Sequence, residues 1–261
     1  MFTLATWNIN SIRLREPLVA QFLRDEAPDI LCLQETKSPV DKIPTEAFAA
    51  LGYTHMVARG EKGYNGVAIL SRLPITDIGE VDFAGLGHAR HVAARLENGV
   101  VIHNVYVPAG GDVPDREANE KFGQKLDFVA HLRDNFRESR PERAILVGDL
   151  NIAPLEDDVW SHRQMLKVVS HTPVEVEALT DAQQAGGWAD ITRQCIPEGK
   201  LYSWWSYRAR DWAASDRGRR LDHIWASSDI AASGHASRIL REARGWERPS
   251  DHVPVFASFD L

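Results

Sequence analysis

The feature that most constrains this chain is a series of short apolar runs, each of which stops at polar residues. Leu4–Trp7, Ile30–Leu33, Val67–Leu70, His91–Leu96, Val100–Val107, Ala144–Val147, Leu221–Ala226 and Val253–Phe259 read as strands. Helical patterns are fewer. Glu117–Phe136 places Phe122, Leu126, Val129, Leu132 and Phe136 on one face at steps of three and four. Thr172-Pro173-Val174-Glu175 reads as a capping box with proline at the first helical position, and Gly186-Gly187 stops that helix. Asn65-Gly66 predicts a tight hairpin turn before Val67. Many strands with few helices fit an α/β (α+β) fold: a four-layer sandwich of two mainly antiparallel sheets, face to face, with helices outside. No repeat, linker or shift in composition divides the chain, so one domain over residues 1–261 is expected.

Composition excludes several classes of function. No apolar run is long enough to cross a bilayer, and MFTLATWNIN has none of the marks of a secretory leader, so no membrane partner and a cytoplasmic location are expected. Cys32 lies in an apolar run and Cys195 far from it, so both are expected to be reduced thiols. Thirty Lys plus Arg against 37 Asp plus Glu give a net charge of −7, which argues against coating nucleic acid by bulk charge. The basic residues are nevertheless clustered: Arg208, Arg210, Arg217, Arg219 and Arg220 alternate with Tyr207 and Trp212. No Gly-rich phosphate loop of the Walker or dinucleotide type is present.

Chemistry is suggested where the strands end. Asn8 and Asn10 follow the first run, Gln34-Glu35-Thr36 the second, and Asp149-Leu150-Asn151 the sixth. Residues two apart in an extended chain point the same way, so Asn8 with Asn10, and Asp149 with Asn151, are expected to aim at one site. Taken alone, each is a common turn former. In Pro249-Ser250-Asp251-His252-Val253-Pro254 the two prolines predict a bend that turns both Asp251 and His252 toward one pocket. Asp222 enters an apolar strand and needs a buried partner, for which a histidine is the expected choice. Carboxylates, carboxamides and one histidine, without cysteine ligands, suit Mg²⁺ or Mn²⁺ better than structural zinc. Phosphodiester hydrolysis uses such a set: a cation against the phosphate oxygens, a base for water, and donors for the transition state.

With those residues in view, the chain resembles the exonuclease III family of AP endonucleases within the endonuclease/exonuclease/phosphatase superfamily. The resembling segments are Trp7–Asn10, Leu33–Lys37, Gly63–Ala68, Asn104–Pro108, Gly148–Asn151, Tyr202–Arg208, Arg220–Asp222 and Ser250–His252, in family order and over nearly the whole length. The resemblance implies a metal-dependent DNA repair enzyme that cuts 5′ to abasic sites, or removes 3′ blocking groups and 3′ nucleotides from double-stranded DNA, acting as a monomer. It implies Glu35 as the main metal carboxylate, helped by Asn10 and Asp251, with Asp149, Asn151 and His252 also near the metal. Asp149 would position and activate water, Asn151 would orient Asp149, and His252, paired with Asp222, would face the phosphate. The resemblance does not choose between Asp149 and His252 as the base. Tyr106 and Asn8 would donate hydrogen bonds, and Trp204 and Leu221 would wall a pocket for an extrahelical abasic sugar. Arg208 and the arginines of Arg217–Arg220, Arg219 among them, would contact the flanking DNA backbone. Two departures stand out: Ala109, where many relatives carry an amide, and Arg219, where some carry a pocket tryptophan. The rivals are a superfamily phosphatase acting on inositol phosphates or lipid head groups, and an inactive DNA-binding module.

Overall fold

A computed structural model describes residues 1–261. Twelve strands lie along the chain, with helices between some of them: β1 (Phe2–Asn8), β2 (Ile30–Gln34), β3 (His55–Arg59), β4 (Val67–Ser71), β5 (Ile75–Gly79), β6 (His91–Leu96), β7 (Val101–Tyr106), β8 (Ala144–Asp149), β9 (Trp188–Asp190), β10 (Asp222–Ser227), β11 (Gly234–Ile239) and β12 (Val255–Phe259). One sheet runs β11-β12-β1-β2-β4-β3 and the other β5-β6-β7-β8-β10-β9. Only β1–β2 and β7–β8 are parallel, and every other neighbouring pair is antiparallel.

Strand parity explains the four layers. Ile30 and Cys32 of β2, with Ile145 and Val147 of β8, point into the core between the sheets. Their neighbours Leu31 and Leu33 face outward onto Val19, Phe22 and Leu23 of helix Glu16–Asp25. Leu146 faces outward into the cluster that holds Phe128, Val129 and Leu132 of helix Glu120–Ser139 and Leu179 of helix Pro173–Ala185. Both faces of the central strands are covered, so their sequences read as unbroken apolar runs rather than as alternation. No helix is long and apolar enough to cross a membrane. Both cysteines are free thiols.

All eight runs read from sequence are strands, and the Thr172–Glu175 capping box forms as expected. Three expectations need correction. Helix Glu120–Ser139 starts later than the apolar pattern suggested, at an Asn119 cap, and buries Lys125 where Leu126 was expected; Leu126 is only half-buried. Lys125 is tolerated inside because its ammonium meets Glu175 Oε1 at 2.5 Å. Asn65-Gly66 is not a two-residue hairpin turn: it closes the longer connection between β3 and β4. Its carbonyls instead accept from the backbone N–H groups of Lys37 and Thr36. A Cβ on Gly66, which has φ +90°, would lie 2.0 Å from Thr36 Oγ1, so only glycine lets this segment dock beside Glu35.

Candidate active site

The site lies where the inter-sheet core opens at one rim. Inward parity carries Asn8 on β1, Gln34 on β2, Asn104 and Tyr106 on β7, Asp149 on β8 and Asp222 on β10 to that end of the core. Register aligns them in rows: Tyr106 pairs with Asp149, Asp149 with Asp222, and Asn8 with Gln34. A polar layer separates this rim from the apolar core. Gln34 Nε2 donates to Thr6 Oγ1 at 2.9 Å and to Asn104 Oδ1 at 2.7 Å, and Asn104 Nδ2 donates to the carbonyls of Leu33 and Ala68. Gly148 is forced by the same crowding, since a Cβ there would sit 1.9 Å from the Val105 carbonyl oxygen.

Beyond the strand ends the backbone turns sharply. Asn10, Ser11, Glu35, Lys37 and Asn151 all have positive φ. Each such residue costs roughly 1 kcal/mol or more, which the surrounding contacts hold in place. Asn10 and Asn151 therefore reach the site through left-handed turns, not through the two-residue alternation expected from sequence. The Asn8 carboxamide accepts from the Asn10 N–H at 3.0 Å, and Asp149 Oδ1 accepts from the Asn151 N–H at 2.9 Å.

Two carboxylate centres share Asn8, whose Nδ2 donates to Glu35 Oε1 and to Asp149 Oδ2, both at 2.9 Å. Tyr106 adds a donor to Glu35 Oε1 at 2.8 Å. Burial pushes Glu35 up, but the Lys37 ammonium and these hydrogen bonds outweigh it and hold the carboxyl below its ordinary value. Burial first, then Glu35 and Asp149, lift the Tyr106 hydroxyl well above the usual range, so it stays a proton donor. Burial also raises Asp149, to about 7, against the opposing pull of His252. His252 Nδ1 lies 2.8 Å from Asp222 Oδ2, and its Nε2 3.6 Å from Asp149 Oδ2. Burial lowers the imidazole, but Asp222 and Asp149 more than reverse that and raise it to about 10, so the ring is an imidazolium between two carboxylates.

A cation site can be tested against this geometry. Lys37 Nζ sits 2.7 Å from Glu35 Oε2 and 2.7 Å from Asn10 Oδ1, and so marks a position where two oxygens converge on positive charge. Asn10 Nδ2 also reaches Asp251 Oδ1 at 3.3 Å. These are hard oxygen donors and they fit a divalent ion. Asp149, Asp222 and His252 also lie close enough to grip an ion. In this geometry His252 lies between the Asp222 and Asp149 carboxylates, and the three are held together as an ion-paired group.

Asp251, His252, Glu35 and Asn151 open onto a cleft of about 710 Å³, together with Trp160, Trp204, Arg208, Arg217, Arg219 and Leu221. Trp204 is half-buried and its neighbour Trp205 is core, so the tandem tryptophans divide between wall and interior. Trp204 is locked to the catalytic rim: its Nε1 donates to Asp251 Oδ2 at 2.9 Å, and its backbone bridges both Arg219 and His252. Arg208 and Arg217 are exposed on the cleft, as a DNA-contacting role requires. Arg220 is not. It is fully buried just before β10 and forked onto Asp158 at 2.8 Å, with a further bond to Asp190 at 2.7 Å, because a buried charge needs to be neutralised. Sequence reading gave Lys37 no role, although its place two residues after Glu35 was a usable signal. It gave Lys125 no polar role either; Lys125 Nζ donates to the Asn151 carbonyl at 2.8 Å and so fixes that turn from beneath.

A two-sheet sandwich with carboxylates, amides and an imidazolium gathered at one rim beside a cationic, aromatic cleft defines a hydrolase of phosphate esters that works with a divalent cation. The chain belongs to the endonuclease/exonuclease/phosphatase family, which it matches over residues 5–252. It is 30% identical to the exodeoxyribonuclease of Bacillus subtilis across 97% of both chains. Among solved structures it is similar to an AP endonuclease from Archaeoglobus fulgidus, with TM-score 0.92, 32% identity and full coverage of both chains. It is also similar to the 3′ phosphatase NExo from Neisseria bound to product DNA hairpin, with TM-score 0.90, 35% identity and full coverage of both.

Proposed function

We propose that this protein is a DNA repair phosphodiesterase of the exodeoxyribonuclease III type, working as a single-domain monomer on duplex DNA with Mg²⁺ or Mn²⁺. Its substrates are abasic sites, cut on their 5′ side, and blocked or ordinary 3′ ends. The observation that carries this reading is that the carboxylate and imidazolium centre and the Trp204 wall are one piece, joined through Trp204 Nε1 to Asp251. Glu35, Asn10 and Asp251 would hold the metal, with Asp149 and Asn151 alongside; when bound it supplies positive charge to the phosphate oxygens. Asp149, lifted to about 7 by burial, takes the proton of the attacking water. Asn151 Nδ2, donating to Asp149 Oδ2 at 3.1 Å, keeps that carboxylate turned toward the water. His252 stays protonated and donates to a phosphate oxygen, while Asp222 fixes its ring. Trp204 and Leu221 shape the cleft, and Arg208 and Arg217 meet the DNA backbone without reading sequence. The reduced thiols suit a cytoplasmic location.

The test is turnover of three duplexes (abasic, 3′-phosphate and blunt) with Mg²⁺ and with Mn²⁺, for wild type and Asp149→Asn. Metal-dependent cutting by wild type is expected, with a loss of about a thousandfold or more in the variant while duplex binding persists. Cleavage of inositol phosphates with none of DNA, or full activity in Asp149→Asn, would overturn it.

A further inference from the structure

Arg219 and Trp204 are paired twice. In the backbone each donates its N–H to the other's carbonyl at 3.0 Å, and in the side chains the guanidinium carbon lies 4.7 Å from the centre of the indole. Arg219 Nη1 donates to the Val169 carbonyl at 3.1 Å and to Ser170 Oγ at 2.9 Å. Its Nε is buried with no acceptor. A donor left unmatched inside the protein is costly, so the guanidinium is held here against an energetic penalty. The guanidinium lines the cleft along with Glu35, Asp251 and His252, and the same Trp204 that carries it is hydrogen-bonded to Asp251.

This arrangement bears on which phosphate ester fits. An internal diester carries one negative charge and a further sugar on the far side of its phosphorus. A 3′-terminal monoester carries close to two charges and ends in free oxygens. An apolar ring face suits a base-free sugar, whereas a planar guanidinium suits anionic oxygens. Here the guanidinium lies over a face of Trp204 and brings a positive charge to the same cleft wall, which suits a second anionic charge better than a neutral sugar. Building on the phosphodiesterase reading above, we propose that Arg219 is a specificity-determining residue that favours a 3′-terminal phosphomonoester over an internal abasic sugar at this one hydrolytic centre.

Two variants separate charge from support. Arg219→Met removes the donor and keeps an apolar stem over Trp204. Arg219→Gln removes the charge but retains an amide able to reach toward Val169 and Ser170. The measurement is kcat/KM with Mg²⁺ on two duplexes of the same sequence, one ending in a 3′-phosphate at a nick and one holding an internal abasic analogue. The ratio of the first to the second is expected to fall at least tenfold in both variants, through a loss on the phosphate end and a gain on the abasic duplex. A ratio within threefold of wild type overturns the inference, as does a parallel fall on both substrates, which would make Arg219 a support for the Val169–Ser170 loop alone. If Arg219→Met does not fold, Arg219→Gln decides by the same ratio. A wild type that cuts neither duplex overturns the phosphodiesterase reading and this inference with it; a wild type that cuts both, with unchanged ratios in the variants, overturns only the inference.

Discussion

Asp222 reaches the catalytic rim with one carboxylate oxygen on His252 and the other buried without a partner. Its backbone is pinned as well: the Ser203 hydroxyl accepts from its own N–H and from that of Leu221. Asp222 is thus held in place, and its carboxylate favours the charged form of an imidazole that burial alone would discharge. Replacing it with Asn keeps the shape and removes the charge, so Asp222→Asn should lower kcat by about two to four orders of magnitude with a smaller change in KM; steady-state kinetics on the abasic duplex checks this. A second histidine pair behaves in the opposite sense. His91 Nδ1 accepts from the Val81 N–H, and its Nε2 meets His103 Nδ1 at 3.1 Å, with no carboxylate to offset burial. Burial therefore lowers both rings, His103 to about 4, with mutual repulsion adding to the effect at His91. As pH falls below about 6.5, the unfolded chain takes up protons that the folded chain refuses, so stability is full above that value and declines down toward 4. The slope approaches about 1.4 kcal/mol per pH unit for each ring. Urea midpoints between pH 7 and pH 5 should fall, and the fall should shrink in His103→Gln; an unchanged slope in that variant contradicts the assignment.

The four strands not read from sequence, β3, β5, β9 and β11, are the four edges of the two sheets. Each has one unpaired side; β5 and β11 have few or no buried positions, and β9 is only three residues long with one buried. An edge strand exposes part of its surface and therefore need not be apolar, so hydrophobic runs report only the interior strands. Helices show the same limit in another form. Periodicity placed Leu126 on the core face of helix Glu120–Ser139, but Lys125 holds that position because helix Pro173–Ala185 brings Glu175 to it. Glu175 serves both elements: it closes the Thr172 cap through the Thr172 N–H and hydroxyl, and it neutralises Lys125. Removing its charge leaves an ammonium buried without a counter-charge, which costs about 3–5 kcal/mol. Glu175→Gln should lose that much in urea denaturation, and Glu175→Gln combined with Lys125→Met should recover a large part of it. The double variant should nevertheless remain less active than wild type, since Lys125 no longer holds the Asn151 carbonyl.

Across the whole molecule, the site is assembled from both sheets, so its stability is that of the sandwich and not of a bound ion. Lys37 already bridges Glu35 and Asn10. Chelation with EDTA is therefore expected to abolish turnover while moving the melting temperature by less than about 3 °C, a shift that thermal melts with and without chelator will measure; a collapse of the fold would contradict it. Much of this was legible in the linear sequence. Interior strands declared themselves because both of their faces are covered, and Asn8, Glu35 and Asp149 at strand ends, Asp222 entering a strand, and Asp251 and His252 in a bend before one became legible as a set because polar residues beside apolar strands need a reason to be there. Sequence also set the chemistry, since hard oxygen donors without thiolates select one class of metal and reaction. What tertiary structure alone decided was pairing. Register put Tyr106, Asp149 and Asp222 in one row, left-handed turns brought Asn10 and Asn151 back to it, and buried counter-charges sent Arg220 and Lys125 inward. An arginine's composition is the same on a cleft wall as in a buried ion network. Only its neighbours in space, Trp204 for Arg219 and Asp158 for Arg220, determine which it becomes, because the charge state and exposure of a side chain are fixed by what surrounds it and not by its place in the chain.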